Sequence, residues 1–170
     1  QNLKTLRLHH SKITSIPTSI GRLRKLESLD LSHSDLLSCL PEEIGDLNSL
    51  RELNLSFGAI TSLPASIGRL QNLERLNLHY TSSLTSLPDE IGDLKSLREL
   101  DLVMSGITSL PSSIGKLKSL DALHLGAYNR QASHLESLPD EIGHLQNLKT
   151  LRLHHSKITS IPTSIGRLRK

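Results

Sequence analysis

The sequence predicts an α/β repeat solenoid, a curved domain with a parallel sheet on its concave side and short 3₁₀ or irregular segments on its convex side. The string Leu-x-x-Leu-x-Leu occurs seven times, beginning at residues 3, 26, 50, 73, 97, 120 and 148. Each copy is followed by a Leu-Pro or Ile-Pro pair and then by Ile-Gly-x-Leu. A fixed period of about 20 to 50 residues is typical of stacked units that bury their apolar faces against one another.

These copies predict one domain over residues 1–170, because no interval between them is long enough for a linker. The seven units are 3–25, 26–49, 50–72, 73–96, 97–119, 120–147 and 148–170. Neither end carries a recognisable unit with the polar outer edge that normally caps a solenoid. We therefore expect some self-association through uncapped ends.

The first half of each unit has the two-residue period of a β-strand. In the first unit, Leu6 and Leu8 alternate with Thr5 and Arg7, which predicts one buried face and one exposed face. One such strand per unit, always in the same direction, builds a parallel sheet.

The second half of each unit begins at a proline, such as Pro17. Its fixed φ and missing N–H suit an irregular or short helical start. The segment is much shorter than the roughly 12 residues that a stable isolated α-helix needs, so we expect 3₁₀ or single-turn pieces. Because a strand is narrower than a helical turn, the stack should curve with the sheet inside.

Composition and motifs exclude several functional classes. Leucine supplies 37 of 170 residues and only three side chains are aromatic, so the core is aliphatic. A net charge of only +3 gives no reason to expect a nucleic acid or membrane partner. The basic first unit is followed by an acidic second unit, so no continuous positive track for nucleic acid exists. No phosphate loop, carboxylate pair or nucleophile with a base recurs, and Cys39 replaces a repeat serine. We predict no enzyme, no catalytic residue, no cofactor and no metal site.

These units resemble the leucine-rich repeat family over essentially the whole chain. Their ending, Leu-Pro-x-x-Ile-Gly-x-Leu at residues 63–70, is similar to the intracellular plant type, including the repeats of plant disease-resistance receptors. The resemblance implies a leucine-rich repeat horseshoe, a cytoplasmic location and a fragment of a larger signalling or immune-type receptor. The family usually places Asn at the ninth position of each unit. We expect a weaker hydrogen-bond ladder here, because that position holds Ser11, Ser34, Gly58, Thr81, Ser105, Tyr128 and Ser156.

The resemblance also places partner binding on the concave sheet, at positions 3, 5, 7 and 8 counted from the first Leu of each motif. The only Phe, the only Met and one of two Tyr residues are neighbours at position 8. Exposed aromatic and Met side chains commonly anchor interfaces. Alternatively, they cover the upper edge of the sheet. Position 8 holds His10, His33, Phe57, Tyr80, Met104, Ala127 and His155.

Charged residues at positions 3 and 5 are expected to set the polarity of this surface. Arg7 lies beside Asp30, and Arg75 lies between Glu52 and Glu99, so these charges should neutralise one another across strands. The polarity-setting residues are Arg7, Asp30, Glu52, Arg75 and Asp101. Such a surface suits a protein or peptide ligand and offers no cleft for a small substrate.

Two further features add to the predicted surface. Extra residues in the sixth unit place Tyr128, Asn129 and Arg130 in a rim loop that contacts the partner or forms an inert bulge. Seven of the nine histidines project from the same sheet, which suggests either a pH- or metal-responsive surface or ordinary exposed strand residues. They lack a Cys or carboxylate at ligand spacing, which argues against a metal site.

The sequence therefore predicts a non-enzymatic module that binds a protein or peptide on its concave sheet. An alternative is an engineered or architectural repeat array that has no natural ligand and assembles with itself. The alternative rests on the identity of residues 1–25 with residues 146–170 and on the missing Asn ladder.

Overall fold

The computed structural model describes residues 2–128 and 134–168. These residues form one open sheet of seven parallel strands, arranged in chain order. The strands are Thr5–Arg7 (β1), Ser28–Asp30 (β2), Glu52–Asn54 (β3), Arg75–Asn77 (β4), Glu99–Asp101 (β5), Ala122–Gly126 (β6) and Thr150–His154 (β7). Each strand occupies the same place in its unit, because the alternating Leu pattern recurs there. The predicted α/β repeat solenoid is confirmed.

The strands pair in a constant register. Leu29 lies opposite Leu53, and Leu53 lies opposite Leu76. The residues at positions 3 and 5 pair in the same way between every two adjacent strands. Each position of the unit therefore becomes a row of side chains running across the sheet.

The return half of each unit is a five-residue 3₁₀ helix, as the proline predicts. The preceding proline has φ between −72° and −61°, and its carbonyl accepts the N–H of the isoleucine three residues later. Within the described ranges, none of these helical segments is long or apolar enough to span a bilayer. The helices are Thr18–Arg22, Glu42–Asp46, Ala65–Arg69, Asp89–Asp93, Ser112–Lys116, Asp140–His144 and Thr163–Arg167.

The glycine of Ile-Gly allows neighbouring 3₁₀ helices to lie close together. A Cβ atom added to Gly68 would lie 2.7 Å from the carbonyl oxygen of Glu90, and one added to Gly115 would lie 2.6 Å from that of Glu141. Real Cβ atoms do not approach backbone oxygen this closely. A side chain at either position would push adjacent units apart on the convex side.

The core between the sheet and the 3₁₀ helices is built from Leu and Ile. Leu53 and Leu76 are each 1% exposed, and Ile91 is fully buried. Leu6 and Leu8 in the first unit are only partly buried and pack against the edge of this core. Phe57 and Tyr80 lie outside it.

Side-chain hydrogen bonds at the ninth position are incomplete. The hydroxyl of Thr81 donates to the carbonyl of Leu78 and that of Ser105 to the carbonyl of Leu102, each over 2.7 Å. The buried hydroxyl of Ser34 has no hydrogen-bond partner among the described residues. The hydrogen bonds that join adjacent units are therefore mostly bonds between backbone groups.

We predict that Gly68→Ala destabilises the fold by about 1–3 kcal/mol, the usual cost of overpacking. The added methyl group meets a backbone oxygen that cannot rotate away. Gly166→Ala is the matched control, since no atom of the described residues lies within 4 Å of a Cβ built there. Urea unfolding measures both. Equal effects of the two changes would contradict the close packing of the 3₁₀ helices.

We also predict that Leu76→Ala costs about 2–5 kcal/mol, because truncation leaves a cavity in the aliphatic core. Leu36→Ala is the control, since Leu36 is 54% exposed, and should change stability by less than about 0.5 kcal/mol. Thermal and urea unfolding give the comparison. An unchanged Leu76 variant would mean that the buried and exposed faces are exchanged.

Candidate functional site

Position 8 of each unit lies just beyond the strand, where the chain turns out of the sheet. Six non-glycine residues there have φ between 54° and 61°: His10, His33, Phe57, Tyr80, Met104 and His155. This left-handed conformation costs an L-residue about 1–2 kcal/mol, and Gly adopts it most readily. The sequence instead places large side chains at this strained backbone position.

Backbone hydrogen bonds hold these residues in that conformation. The N–H of Phe57 donates to the carbonyl of His79, and the N–H of Tyr80 donates to the carbonyl of Val103, each over 2.8 Å. Met104 donates to Gly126 in the same way. Each bond joins one unit to the next, so the stacking of units fixes the direction of the position 8 side chains.

We call His10, His33, Phe57, Tyr80 and Met104 the rim lane. Its four rings stack in sequence: the centroid distances are 4.1 Å from His10 to His33, 4.5 Å from His33 to Phe57 and 5.2 Å from Phe57 to Tyr80. The planes of adjacent rings lie within 20° of one another. Phe57 is 38% exposed and Tyr80 is 44% exposed. The rim lane thus presents mainly ring edges to solvent.

The sixth unit does not continue the rim lane, and the expected place of Ala127 in it is wrong. Strand β6 pairs with β7 as far as Gly126, which takes the positive φ of 93° one position earlier than in the other units. Ala127 then donates its N–H to the carbonyl of His154 and is 2% exposed. The longer unit therefore turns its position 8 side chain into the core.

Tyr128 belongs to the predicted rim loop and is 59% exposed. Its ring centroid lies 5.5 Å from that of His79, two units away. Tyr128 therefore reaches back along the concave side toward the rim lane. Asn129 and Arg130, the other predicted loop residues, lie outside the described residues.

Position 5 has a structural role that the sequence pattern did not reveal. The Oδ1 atom of Asp30 accepts the N–H of Ser32 over 3.0 Å, and that of Asp101 accepts the N–H of Val103 over 2.9 Å. Asn54 and Asn77 make the equivalent bond. This local bond draws each acceptor toward the end of its strand.

The expected ion pair between Arg7 and Asp30 is not formed among the described residues. The bond to the N–H of Ser32 directs the Asp30 carboxylate away from Arg7 and toward His9, whose Nδ1 lies 3.8 Å from Oδ2 of Asp30. His79 and Asp101 repeat this arrangement at 3.8 Å. Arg7 is exposed on β1, next to Asp30 in the strand register.

At position 3, the guanidinium of Arg75 donates a hydrogen bond to Glu52. This bond, together with the charges of Glu52 and Glu99, raises the pKa of Arg75. Glu99 itself forms no ion pair among the described residues. At positions 3 and 5 of the second to fifth units, four carboxylates face the single cation of Arg75, a net charge of −3. The centre of the concave sheet is therefore acidic.

Position 2 carries a row of alternating charges that the sequence analysis missed. Lys4 pairs with Glu27 over 2.9 Å, and the hydrogen bond and charge of Lys4 lower the pKa of the Glu27 carboxyl. The repeated sign change at the residue after each motif Leu was the available signal. These exposed pairs favour the native order of units and each contribute little stability. The full row is Lys4, Glu27, Arg51, Glu74, Arg98, Asp121 and Lys149.

A shallow groove of about 380 Å³ lies beside the rim lane. Phe57 and Tyr80 form its walls together with the small residues of the third and fourth units. Asp35 lines the groove from the second unit. We call this the rim groove, and its lining is His33, Asp35, Phe57, Gly58, Ala59, Tyr80, Ser82 and Ser83.

The histidines of the concave side stack and do not converge on one point. The rings of His10 and His33 lie face to face, and the ring of His9 meets that of His10 edge to face at 5.8 Å. In residues 2–128 and 134–168, no group of three or more His, Cys, Asp and Glu side chains could hold a metal ion.

Comparison with known proteins gives the family. A family model described as a leucine-rich repeat region matches residues 1–86, and one described as a leucine-rich repeat matches residues 147–168. The chain belongs to the leucine-rich repeat family. Leucine-rich repeat domains are commonly protein–protein interaction modules and are typically non-enzymatic. A search of curated protein sequences gives no match.

Solved leucine-rich repeat structures are similar over nearly the whole chain. A leucine-rich repeat protein of Leptospira interrogans is 38% identical over 98% of this chain, with a TM-score of 0.71. The leucine-rich repeat domain of the type III effector XopL is 31% identical over 98%, with a TM-score of 0.82. The plant peptide hormone receptor RGFR1, solved in complex with RGF2, is 30% identical over 99%, with a TM-score of 0.63.

Each of these three proteins is longer than this chain. The leucine-rich repeats described here span 46% of the Leptospira protein, 58% of the XopL domain and 31% of RGFR1.

We predict that Tyr80→Val is about 1–2 kcal/mol less stable than Tyr80→Gly. Both changes remove the ring, but only the β-branched residue is strained at positive φ. The difference between the two variants, measured by urea unfolding, isolates the backbone contribution. Equal stabilities would contradict a left-handed conformation at position 8.

Proposed function

We propose that this leucine-rich repeat chain is a non-enzymatic recognition module that binds a protein or peptide segment along its concave sheet. The rim lane carries the proposal. It holds large side chains that are exposed or half-buried in strained backbone, in a chain whose described core needs no aromatic residue. The positive φ recurs in six units, so what distinguishes the rim lane is that large apolar and aromatic side chains occupy it where Gly would fit most readily.

Phe57, Tyr80 and Met104 act as the apolar anchors in this proposal. The inter-unit hydrogen bonds hold their backbone in place before binding, so little conformational entropy is lost when the partner arrives. His10 and His33 extend the same stack toward the first unit. A partner that lies across the strands can contact all of these side chains in succession.

The charged residues of the concave side give the partner its direction. Glu52 and Arg75 form one ion pair, and Asp101 lies beside His79. Arg7 lies on the first strand and Asp30 on the second. A bound segment therefore meets a basic residue at the end of the sheet and acidic residues from the second strand onward. Charge patterns of this kind select partner and orientation more than they add affinity.

A peptide or protein ligand is supported by similar structures. RGFR1 was solved with the peptide RGF2 bound, and it shares this fold over 99% of the present chain. A role within a larger signalling or immune-type receptor agrees with the greater length of the similar proteins. A cytoplasmic location is part of this proposal, since the Leu-Pro-x-x-Ile-Gly-x-Leu ending resembles the intracellular plant type.

An architectural role is the second candidate, and one observation favours it. Residues 1–25 and 146–170 are identical, and the row of charges at position 2 alternates without interruption from Lys4 to Lys149. Repetition of the six-unit block would preserve this alternation along a longer tandem array, since residues 146–170 repeat residues 1–25. In that case the rim lane covers the edge of the sheet and has no ligand.

The test is a selection of random displayed peptides on the immobilised 170-residue chain, followed by affinity measurements on variants. Replacing Phe57, Tyr80 and Met104 by Ser should weaken the selected peptides by at least about 100-fold, as the loss of several interface anchors does. The matched control is Ile161→Ser, which removes an apolar side chain that is 55% exposed outside the rim lane.

Two results would contradict the proposal. Selection of no peptide, or of peptides that bind the triple variant unchanged, would favour the architectural role. A fall of the triple variant's stability by more than about 3 kcal/mol would indicate that these side chains belong to the core.

A further inference from the structure

We infer that the rim groove receives one Lys or Arg side chain of the bound segment, with Asp35 as the group that recognises its charge. The inference rests on the proposed function and specifies its partner, since it assigns the ligand a basic residue next to an apolar or aromatic one. Asp35 was not among the residues that the sequence indicated as a binding site.

Asp35 is the available carboxylate at this place. Its side chain is exposed and forms no hydrogen bond or ion pair with any described residue. Nearby carboxylates are engaged, since Glu52 binds Arg75 and Asp30 accepts a backbone N–H. Lys12 occupies the equivalent position of the first unit, yet no ion pair joins it to Asp35 within the described ranges.

The groove is specific to the second, third and fourth units. The tenth position of the unit holds Asp35, Ala59 and Ser82 here, while the first and seventh units carry Lys12 and Lys157. The small side chains of Ala59 and Ser82 leave space beside the rim lane, and Asp35 lines the same groove from the second unit. The repeat pattern alone does not produce this combination.

The lining fits a long cationic side chain. Phe57 and Tyr80 offer apolar surface to the methylene stem of a Lys or Arg residue. Asp35 can then accept a charge-assisted hydrogen bond from the ammonium or guanidinium group. Ser82 and Ser83 line the groove from the fourth unit.

Other side chains fit less well. An acidic residue would meet Asp35 and the net negative charge of the concave centre. An apolar residue would cover the Asp35 carboxylate without supplying a partner, which is costly for a charged group. The electrostatics therefore favour a basic residue.

The experiment uses peptides selected from a random display library on the intact chain. Selected peptides should share a Lys or Arg residue at a constant distance from an aromatic or large aliphatic residue. Asp35→Asn should weaken them by about 10-fold, the usual range for a lost charge-assisted hydrogen bond. Asp35→Lys should weaken them further, and the fold should tolerate it because Lys12 and Lys157 hold the equivalent position.

Two controls separate the groove from general electrostatics. Asp89→Asn removes the same charge from the convex side and should change affinity by less than about twofold. A peptide whose basic residue is replaced by norleucine should bind the Asp35→Asn variant at least as well as the unmodified chain, because it no longer gains from the Asp35 charge. Such non-additivity is expected only if the two groups touch.

The outcomes distinguish this inference from the proposed function. Peptides that depend on Phe57, Tyr80 and Met104 but bind Asp35→Asn unchanged would overturn the inference and leave the proposed function intact. The same holds if the selected peptides share no basic residue. If no peptide is selected, or if the triple Ser variant binds as well as the natural chain, both are overturned.

Discussion

The backbone hydrogen-bond ladder between adjacent units is the interaction on which the rest of the structure depends. The N–H of Leu8 donates to the backbone carbonyl of Asp30 over 2.7 Å, and the N–H of Leu55 donates to that of Asn77 over 2.9 Å. The same bond recurs from unit to unit. The ladder requires a constant register on the concave side and close 3₁₀ helices on the convex side. Gly68, with the backbone of Glu90 directly beside it, meets the second requirement. Together these constraints turn each position of the unit into a continuous row.

The rim lane follows from that ladder. Its residues have a backbone conformation that is unfavourable in isolation, and the inter-unit bonds from Phe57, Tyr80 and Met104 offset the strain. Since the strain and the bonds occur in the same residues, a large exposed side chain is held rigidly at the edge of the sheet. A rigid apolar row beside an acidic sheet is a suitable surface for an extended partner.

Charge is distributed differently on different parts of the surface. At position 2, opposite charges alternate and neutralise one another, which favours the native order of units. At positions 3 and 5, charge remains, because the carboxylates of Asp30 and Asp101 also accept backbone N–H groups and Glu99 has no ion pair among the described residues. Asp35 is likewise unpaired within those ranges. The concave sheet therefore keeps a net negative charge beside the rim lane, which favours a partner of opposite charge there.

The amino-acid sequence was sufficient to predict the units, the strands, the 3₁₀ turns after each proline and the aliphatic core. These features depend on two periods that the sequence shows directly: the two-residue alternation of a strand and the repeat of about 23 residues. It also placed Phe57, Tyr80 and Met104 side by side, since a constant register follows from a constant repeat. The left-handed turns, the burial of Ala127 and the orientation of Asp30 away from Arg7 depended on the tertiary structure. Beyond the end of a strand, the direction of a side chain is set by backbone dihedral angles and by hydrogen bonds to the next unit. A periodic pattern contains neither of these, and the rim groove with its unpaired Asp35 results from both.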